Sequence, residues 1–382
     1  MTRKTSSRSR RRRVGLYRAA WVVVLAGLLV FVLVLVTACS NAGTSTTTGS
    51  ETPTTAATPT TAGTETTSVT ESSETTAPTS ASTGPKTIGI IGQTLDSPSV
   101  GKFLVQSQGE ADKRGWKILT ANGAGDMSKV AAAWQAYTSQ KVDAIINYIV
   151  DNTQIAPQIK AAADAGIPVV SLYSGALVPG LLQEVGGNDF ANGTIMGQYL
   201  VDYFGGEAKI VYLDWVDLLV TTARYEGVKT VFSKYPGMEI LDVHALKVPG
   251  QVEDARTAME AWLTKYPEID AVIGGWDEPA MGALRAIDAA GRDVKVFGFD
   301  GTNIEFQTMR DNELYVATMA TAQLCGGHAV IEALDQIFAG ETIPRRVALP
   351  AYMVTREEAP ADGLTPENKA CWESAGQPTI PG

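Results

Sequence analysis

Histidine occurs only twice in the 382 residues, at His244 and His328, and cysteine only three times. Two isolated histidines inside segments of regular hydrophobic period supply neither a Ser-His-Asp arrangement nor a metal-ligand cluster. The chain has no Gly-x-Ser-x-Gly elbow and no Walker-type phosphate loop, and Gly123-Ala124-Gly125 does not complete a dinucleotide fingerprint. The expectation is a non-enzyme with no catalytic residue, cofactor or metal. Acidic residues are missing from the first 38 positions, which carry eight basic ones; the remainder holds 23 basic against 41 acidic side chains. So acidic a body repels phosphate backbones, which excludes nucleic acid as a partner. Large apolar residues are nearly absent from residues 40–84, where Thr, Ser, Ala, Gly and Pro dominate. Such a segment buries too little surface to offset its chain entropy, and residues 39–85 are expected to be a disordered stalk.

What is present begins with a targeting signal. The basic N-terminal cluster runs into the uncharged apolar residues 19–36 and then Val36-Thr37-Ala38-Cys39-Ser40. A basic region, an apolar run and small residues mark a secretory signal. The small pair before Cys39 resembles a bacterial lipobox, with Val36 in place of the commoner Leu. The resemblance implies a signal peptide over residues 1–38, cleavage before Cys39 and a lipid anchor on its thiol. An uncleaved membrane anchor is the alternative, because 18 apolar residues nearly span a bilayer. Either way the body is extracytoplasmic and tethered to the cell membrane, on the periplasmic side where an outer membrane exists. With Cys39 lipidated, Cys325 and Cys371 remain in an oxidising compartment, where a disulfide between them is expected over two separate buried thiols.

From Lys86 onward short β-rich runs alternate with longer helical ones. Strands are expected at residues 87–92, 116–120, 144–148 and 168–172, and helices at 101–115, 128–140 and 153–165. The same programme then repeats. Helices fall at 192–203, 222–233, 253–265 and 277–290, and strands at 209–213, 238–246, 271–274 and 295–299. Strands alternating with helices of this length define βαβ units and a parallel sheet. Continuous apolar runs fit strands covered on both faces. Val142-Asp143-Ala144-Ile145-Ile146 leads to Ala163-Asp164-Ala165-Gly166 much as Ile269-Asp270-Ala271-Val272-Ile273 leads to Asp288-Ala289-Ala290-Gly291. One α/β lobe duplicated in tandem explains this better than chance similarity. Two such lobes side by side present their strand ends at a common cleft, where a small ligand can be buried by hinge closure.

Several segments carry a family resemblance. They are Gly92-Gln93-Thr94-Leu95-Asp96-Ser97-Pro98, Ala165-Gly166-Ile167-Pro168-Val169-Val170, Gly187-Asn188-Asp189, and Ala223-Arg224-Tyr225-Glu226-Gly227. Asp277-Glu278-Pro279-Ala280-Met281-Gly282 and Val296-Phe297-Gly298-Phe299-Asp300-Gly301-Thr302 complete the set. In this order, over residues 86–355, they resemble the type I periplasmic binding proteins of the ribose and galactose binding group, whose fold the LacI-type repressors share. The resemblance implies an α/β fold of two Rossmann-like lobes with six-stranded sheets, joined by a three-segment hinge. Crossings are expected near Gly187, near residues 320–323 and after about Arg346. The N-terminal lobe would then comprise 86–187 and 322–346, the C-terminal lobe 188–321 and 347–357, and a tail 358–382. It further implies a monomeric solute-binding protein of an ABC transporter, working with permease and ATPase subunits on a sugar or polyol. A ligand-sensing receptor subunit of the same fold is the alternative; a DNA-binding regulator would need a helix-turn-helix where this protein has its export signal.

Side chains expected at the cleft are Asp96, Ser97, Tyr148, Asp151, Tyr173 and Ser174 from the first lobe. From the second come Trp215, Arg224, Glu226, Trp276, Asp277 and Asp300. Carboxylates accept paired hydrogen bonds from vicinal hydroxyls, Arg donates in a fixed fork, and aromatic faces cover apolar sugar faces. Asp277 also suits a helix N-terminus with Pro279 in its first turn, and Trp215 also suits packing within its lobe. The site departs from the family. Tyr173-Ser174 stands where its sugar binders carry Asp-Arg, Trp276 where they carry Asn, Thr321 where they carry Gln, and Glu226 where ribose binders have Arg. A cleft poorer in cations and richer in aromatic and acidic groups leaves a modified sugar, a polyol or a cationic solute open.

Overall fold

The computed structural model describes residues 84–374. The signal segment, Cys39, nearly all of the stalk and the last residues of the tail lie outside the described residues.

Nine strands carry the fold's first logic: β1 (Thr87–Gly92), β2 (Lys117–Asn122), β3 (Ala144–Tyr148), β4 (Val169–Leu172), β5 (Leu181–Gly186), β6 (Glu207–Asp214), β7 (Gly237–Ala245), β8 (Ala271–Gly274) and β9 (Lys295–Asp300). β10 (Tyr315–Thr321), β11 (Arg346–Ala348) and β12 (Ala351–Thr355) complete two sheets, ordered β11-β5-β4-β3-β1-β2 and β12-β10-β9-β8-β6-β7. Every neighbouring pair is parallel except β10 and β12. β3, β4 and β8 are buried along their whole length, as uninterrupted apolar strands covered by helices on both faces should be. The expected two-lobed α/β class is the one adopted.

The helices are α1 (Pro98–Lys113), α2 (Met127–Gln140), α3 (Ala156–Asp164), α4 (Asp189–Phe204), α5 (Leu219–Phe232), α6 (Gln251–Lys265), α7 (Asp277–Ala290), α8 (Asn303–Asp311), α9 (Gln323–Phe338) and α10 (Pro366–Ser374). α3 starts three residues later than its pattern suggests. The Asp151 carboxylate accepts from Thr153 N and Thr153 Oγ1, both at 2.8 Å, and holds that stretch as a turn. Asp side chains closing on their own backbone in this way compete with helix.

The internal repeat is visible atom by atom. β3 and β8 occupy the same place in the two sheet orders. Asp143 before β3 accepts from Thr87 N at 2.8 Å, and Asp270 before β8 accepts from Lys209 N at 2.7 Å. Their own amides return the bond, to Thr87 O and Lys209 O, at 2.8 Å each. Each Asp thus pins the start of its sheet's central strand pair. The helices that follow end in left-handed Gly166 and Gly291, at φ 78° and 62°, as helix C-termini favour.

The backbone passes between the sheets at residues 187–188, at 322 and at 349–350. Cys325 at the start of α9 is joined to Cys371 in α10, with Cα atoms 5.2 Å apart and a sequence separation of 46. Gln106 of α1 donates to Cys371 O at 2.7 Å, and Asn368 Nδ2 donates to Thr321 O at 3.0 Å. The tail is therefore fastened across both α1 and the second crossing.

Candidate functional site

The C-terminal ends of both sheets face one cleft, the place where open α/β sheets take up small ligands. The first lobe lines it with Thr94, Ser97, Val100, Tyr148, Ile149 and Tyr173. The second contributes Trp215, Leu218, Val220, Thr221 and Arg224 after β6, Val248 and Gln251 after β7, Trp276 and Glu278 after β8, and Asp300 at the end of β9. Gln323 joins them from the second crossing.

Backbone strain gathers here. Ile149 and Tyr173 directly follow β3 and β4, and Asp300 ends β9, with φ of 52°, 53° and 94°. Non-glycine residues pay on the order of 1–3 kcal/mol for such angles and keep them where the surroundings enforce them, often at binding sites. All three line the cleft.

Arg224 organises the second lobe's face. Its Nε donates to Asp189 Oδ1 at 3.0 Å, Nη1 to Gly275 O at 2.9 Å and Nη2 to Asp300 Oδ1 at 2.9 Å. It also lies over the Phe299 ring, 4.8 Å from the centroid. Burial works against this charge, but Asp300 and Asp189 more than offset it, so the guanidinium's pKa is raised. Burial likewise pushes the Asp189 carboxyl up, against the pull of Arg224. The helices that make this possible touch closely: a Cβ on Gly193 of α4 would sit 2.0 Å from Arg224 O, and one on Gly227 of α5 would sit 2.3 Å from Phe190 O. Only glycine allows the approach that delivers Arg224 to Asp189.

Glu278 ties the lobes together. Its Oε2 accepts from Ser97 Oγ at 2.7 Å across the cleft, from Trp276 Nε1 at 3.0 Å and from Gln251 Nε2 at 3.1 Å. Trp276 and Trp215 stand 6.1 Å apart at 44°. Tyr148 is stacked on Phe103 with centroids 4.4 Å apart, and its hydroxyl reaches Gln323 Oε1 at 3.4 Å. Burial raises the Tyr148 and Tyr173 pKa values, so both are neutral donors at the cleft.

Of the twelve side chains expected here, Ser97, Tyr148, Tyr173, Trp215, Arg224, Trp276 and Asp300 line the cleft together. Five do not. Asp96 is exposed and accepts from Asn122 Nδ2 at 2.7 Å. Asp151 closes the turn before α3. Ser174 is buried within the first lobe, donating to Leu172 O at 3.0 Å. Glu226 pairs with Lys229 at 2.5 Å on the half-exposed side of α5. Asp277 turns inward, accepting from Thr302 Oγ1 and from Glu278 N. It joins a buried cluster in which burial, reinforced by Glu305, drives its pKa well up, and burial pushes Glu305 up to about 8. Glu278, Gln251, Thr94, Thr221 and Gln323 were not anticipated; the apolar walls Val100, Leu218, Val220 and Val248 were not either.

No group of three or more metal-ligating side chains occurs among the described residues. The histidines lie elsewhere: His244 meets Asp254 at 2.7 Å and His328 meets Glu110 at 3.0 Å.

A two-lobed α/β protein with a strained, mixed aromatic and charged cleft at its strand ends is built to capture a ligand. The family model described as periplasmic binding protein domain matches residues 88–342, and the chain belongs to that family. The ribose import binding protein of Bacillus subtilis (strain 168) is 28% identical over 272 residues, covering 71% of this chain and 88% of that protein. The 5-methylthioribose transporter solute binding protein of Thermotoga lettingae, solved with 5-methylthioribose, superposes with TM-score 0.70 at 26% identity, over 78% of this chain and 100% of that one. An ABC transporter solute binding protein of Agrobacterium vitis with bound allitol gives TM-score 0.66 at 28% identity, over 72% and 97%.

Proposed function

We propose that this protein is the extracytoplasmic solute-binding component of an ABC importer for a small sugar or polyol. It acts as a monomer without catalysing a reaction, held at the outer face of the cell membrane by lipid on Cys39. The observation that carries the reading is the cleft, where a buried Arg224–Asp300 pair, neutral tyrosines and a tryptophan pair line one concave site. Hydroxyls meet the charged and amide groups, while the apolar C–H faces of the ligand meet Trp215, Trp276 and the aliphatic walls. Relatives named for ribose, 5-methylthioribose and allitol carry cargo of the same chemistry. The roles of Ser97, Tyr148, Tyr173, Trp215, Arg224, Trp276 and Asp300 as ligand contacts belong to this proposal.

Capture follows from the two-lobed build. A ligand seated on one lobe gains its remaining contacts only when the other closes, so it favours the closed arrangement by its differential affinity. The closed form is then what permease and ATPase subunits would receive.

A thermal-shift screen of the protein from residue 40 onward against sugars and polyols tests the reading. A ligand that binds only the native state at about 100 times its Kd stabilises it by about 2.7 kcal/mol, a shift of several degrees. A screen without any shift would count against sugar or polyol capture. For the anchor, Cys39→Ala should abolish fatty-acid labelling and block signal cleavage; labelling that persists would remove it.

A further inference from the structure

Deepening the proposed capture of a polyol, and resting on it, the charge of the cleft narrows the ligand class. Among the described residues Arg224 is the only cationic side chain lining the cleft, and it is already committed to Asp189, Asp300 and Gly275 O. Two carboxylates share that one guanidinium. Glu278 adds a third acidic group with no cation of its own: no Lys, Arg or His among the described residues lies within ion-pair distance of it. The residue is only 8% exposed.

The three donors to Glu278 Oε2 are a hydroxyl, an amide and an indole N–H. They orient the carboxylate but bring no full positive charge. Its other oxygen, Oε1, accepts no hydrogen bond from the described residues. Buried charges are ordinarily paired, because an uncompensated one is costly to desolvate. Beside this carboxylate stand Trp276, which donates to it, and Trp215, 6.1 Å from Trp276. Indole faces attract cations, the more so when water is excluded. A carboxylate with an open oxygen, in contact with Trp276 in a cleft that Trp215 and aliphatic side chains also line, fits an ammonium group. Elsewhere in the same cleft, Arg224, Asp300 and Gln323 fit hydroxyls.

We infer that the ligand is an aminated polyol or amino sugar, its protonated amine against Glu278 and the Trp215–Trp276 pair and its hydroxyls against Arg224 and Asp300.

Matched pairs differing only in the amine test this by calorimetric titration of the full-length protein in detergent. D-glucitol is compared with 1-amino-1-deoxy-D-glucitol, ribitol with 1-amino-1-deoxyribitol, and D-glucose with D-glucosamine. At least one aminated member should bind about tenfold or more tightly than its neutral partner, the size of a charge-assisted contact. Glu278→Gln, which keeps the shape and one acceptor oxygen, should erase that preference, so that aminated and neutral members bind the variant alike to within about threefold. Trp215→Leu should shrink it partway. A thermal melt of each variant establishes that it is folded. Neutral members that bind as tightly as or more tightly than their amines would overturn the inference and leave polyol capture standing. An amine preference that survives in folded Glu278→Gln would overturn the assignment to this carboxylate. Binding by no member of any pair would overturn polyol capture itself, and this inference with it.

Discussion

The two faces of the cleft come from lobes of the same strand order, yet they are chemically unequal. The first lobe offers Thr94, Ser97, Val100, Tyr148, Ile149 and Tyr173, with no charged side chain among them. The second supplies both tryptophans and the three charged groups Arg224, Glu278 and Asp300. The scaffolds match down to the Asp143 and Asp270 contacts, while the side chains at the cleft differ. Under the proposed function, the second lobe selects and grips the ligand and the first closes over it as a neutral cover. The strand order holds the strand ends in place, and the loop residues decide the chemistry, as α/β folds generally allow.

The largest effect should come from the charged face. Arg224→Ala leaves Asp189 and Asp300 buried without their cation and should cost about 3–5 kcal/mol in denaturant unfolding. The first-lobe counterpart is mild. The Tyr173 hydroxyl is buried and has at most a weak contact with the Thr321 side chain, so Tyr173→Phe should change stability by less than about 1 kcal/mol. Equal losses in the two variants would break the contrast.

The covalent tie sits on the other side of the comparison, on α9 behind the first lobe's sheet. Replacing Cys325 and Cys371 with Ser should lower stability by about 2–4 kcal/mol, since a 46-residue separation leaves a long loop to constrain in the unfolded state. Two free thiols titrated in the denatured, unreduced protein would remove the bridge.

A smaller effect sharpens the electrostatic side. Asp214 ends β6, and burial pushes its carboxyl up to about 6. A folded-state value above the unfolded one gives stability that is fully present below about pH 4 and lost as pH rises through about 6. Asp214→Asn should therefore be more stable than wild type at pH 7 by about 1–3 kcal/mol, and the gain should vanish near pH 4. Unfolding midpoints at the two pH values measure it; a gain independent of pH would contradict the assignment.

Much of this was legible in the sequence, because buried parallel strands print as unbroken apolar runs. β3, β8 and α7 begin and end where their patterns do. β5 left no such print: Leu181-Leu182-Gln183-Glu184-Val185-Gly186 carries two polar residues in a strand whose Gln183 and Glu184 are both buried. Glu184 is satisfied only in three dimensions, accepting from Ser174 N at 2.8 Å and Gly175 N at 3.0 Å. The cleft was legible to the strand end but not always to the side chain. Successive helical residues turn about 100°, so of the adjacent Asp277 and Glu278 one faces Thr302 and the other the cleft. The same phase places Glu226, two residues past Arg224, roughly on the opposite side of α5, a contradiction the helical period alone could have exposed. Asp96 and Ser97 divide similarly, one toward Asn122 and one toward Glu278.

Calorimetric titration of three variants with the best ligand from the screen bears most directly on capture by the second lobe's face. Asp300→Ala removes a charge-assisted contact worth roughly 1.5–3 kcal/mol and should weaken binding by about tenfold to a hundredfold. Trp276→Ala should cost a comparable amount through lost apolar burial, whereas Ser97→Ala, on the neutral face, should cost less than about tenfold. If folded Asp300→Ala and Trp276→Ala bind as the wild type does, the ligand is not held at this edge of the cleft.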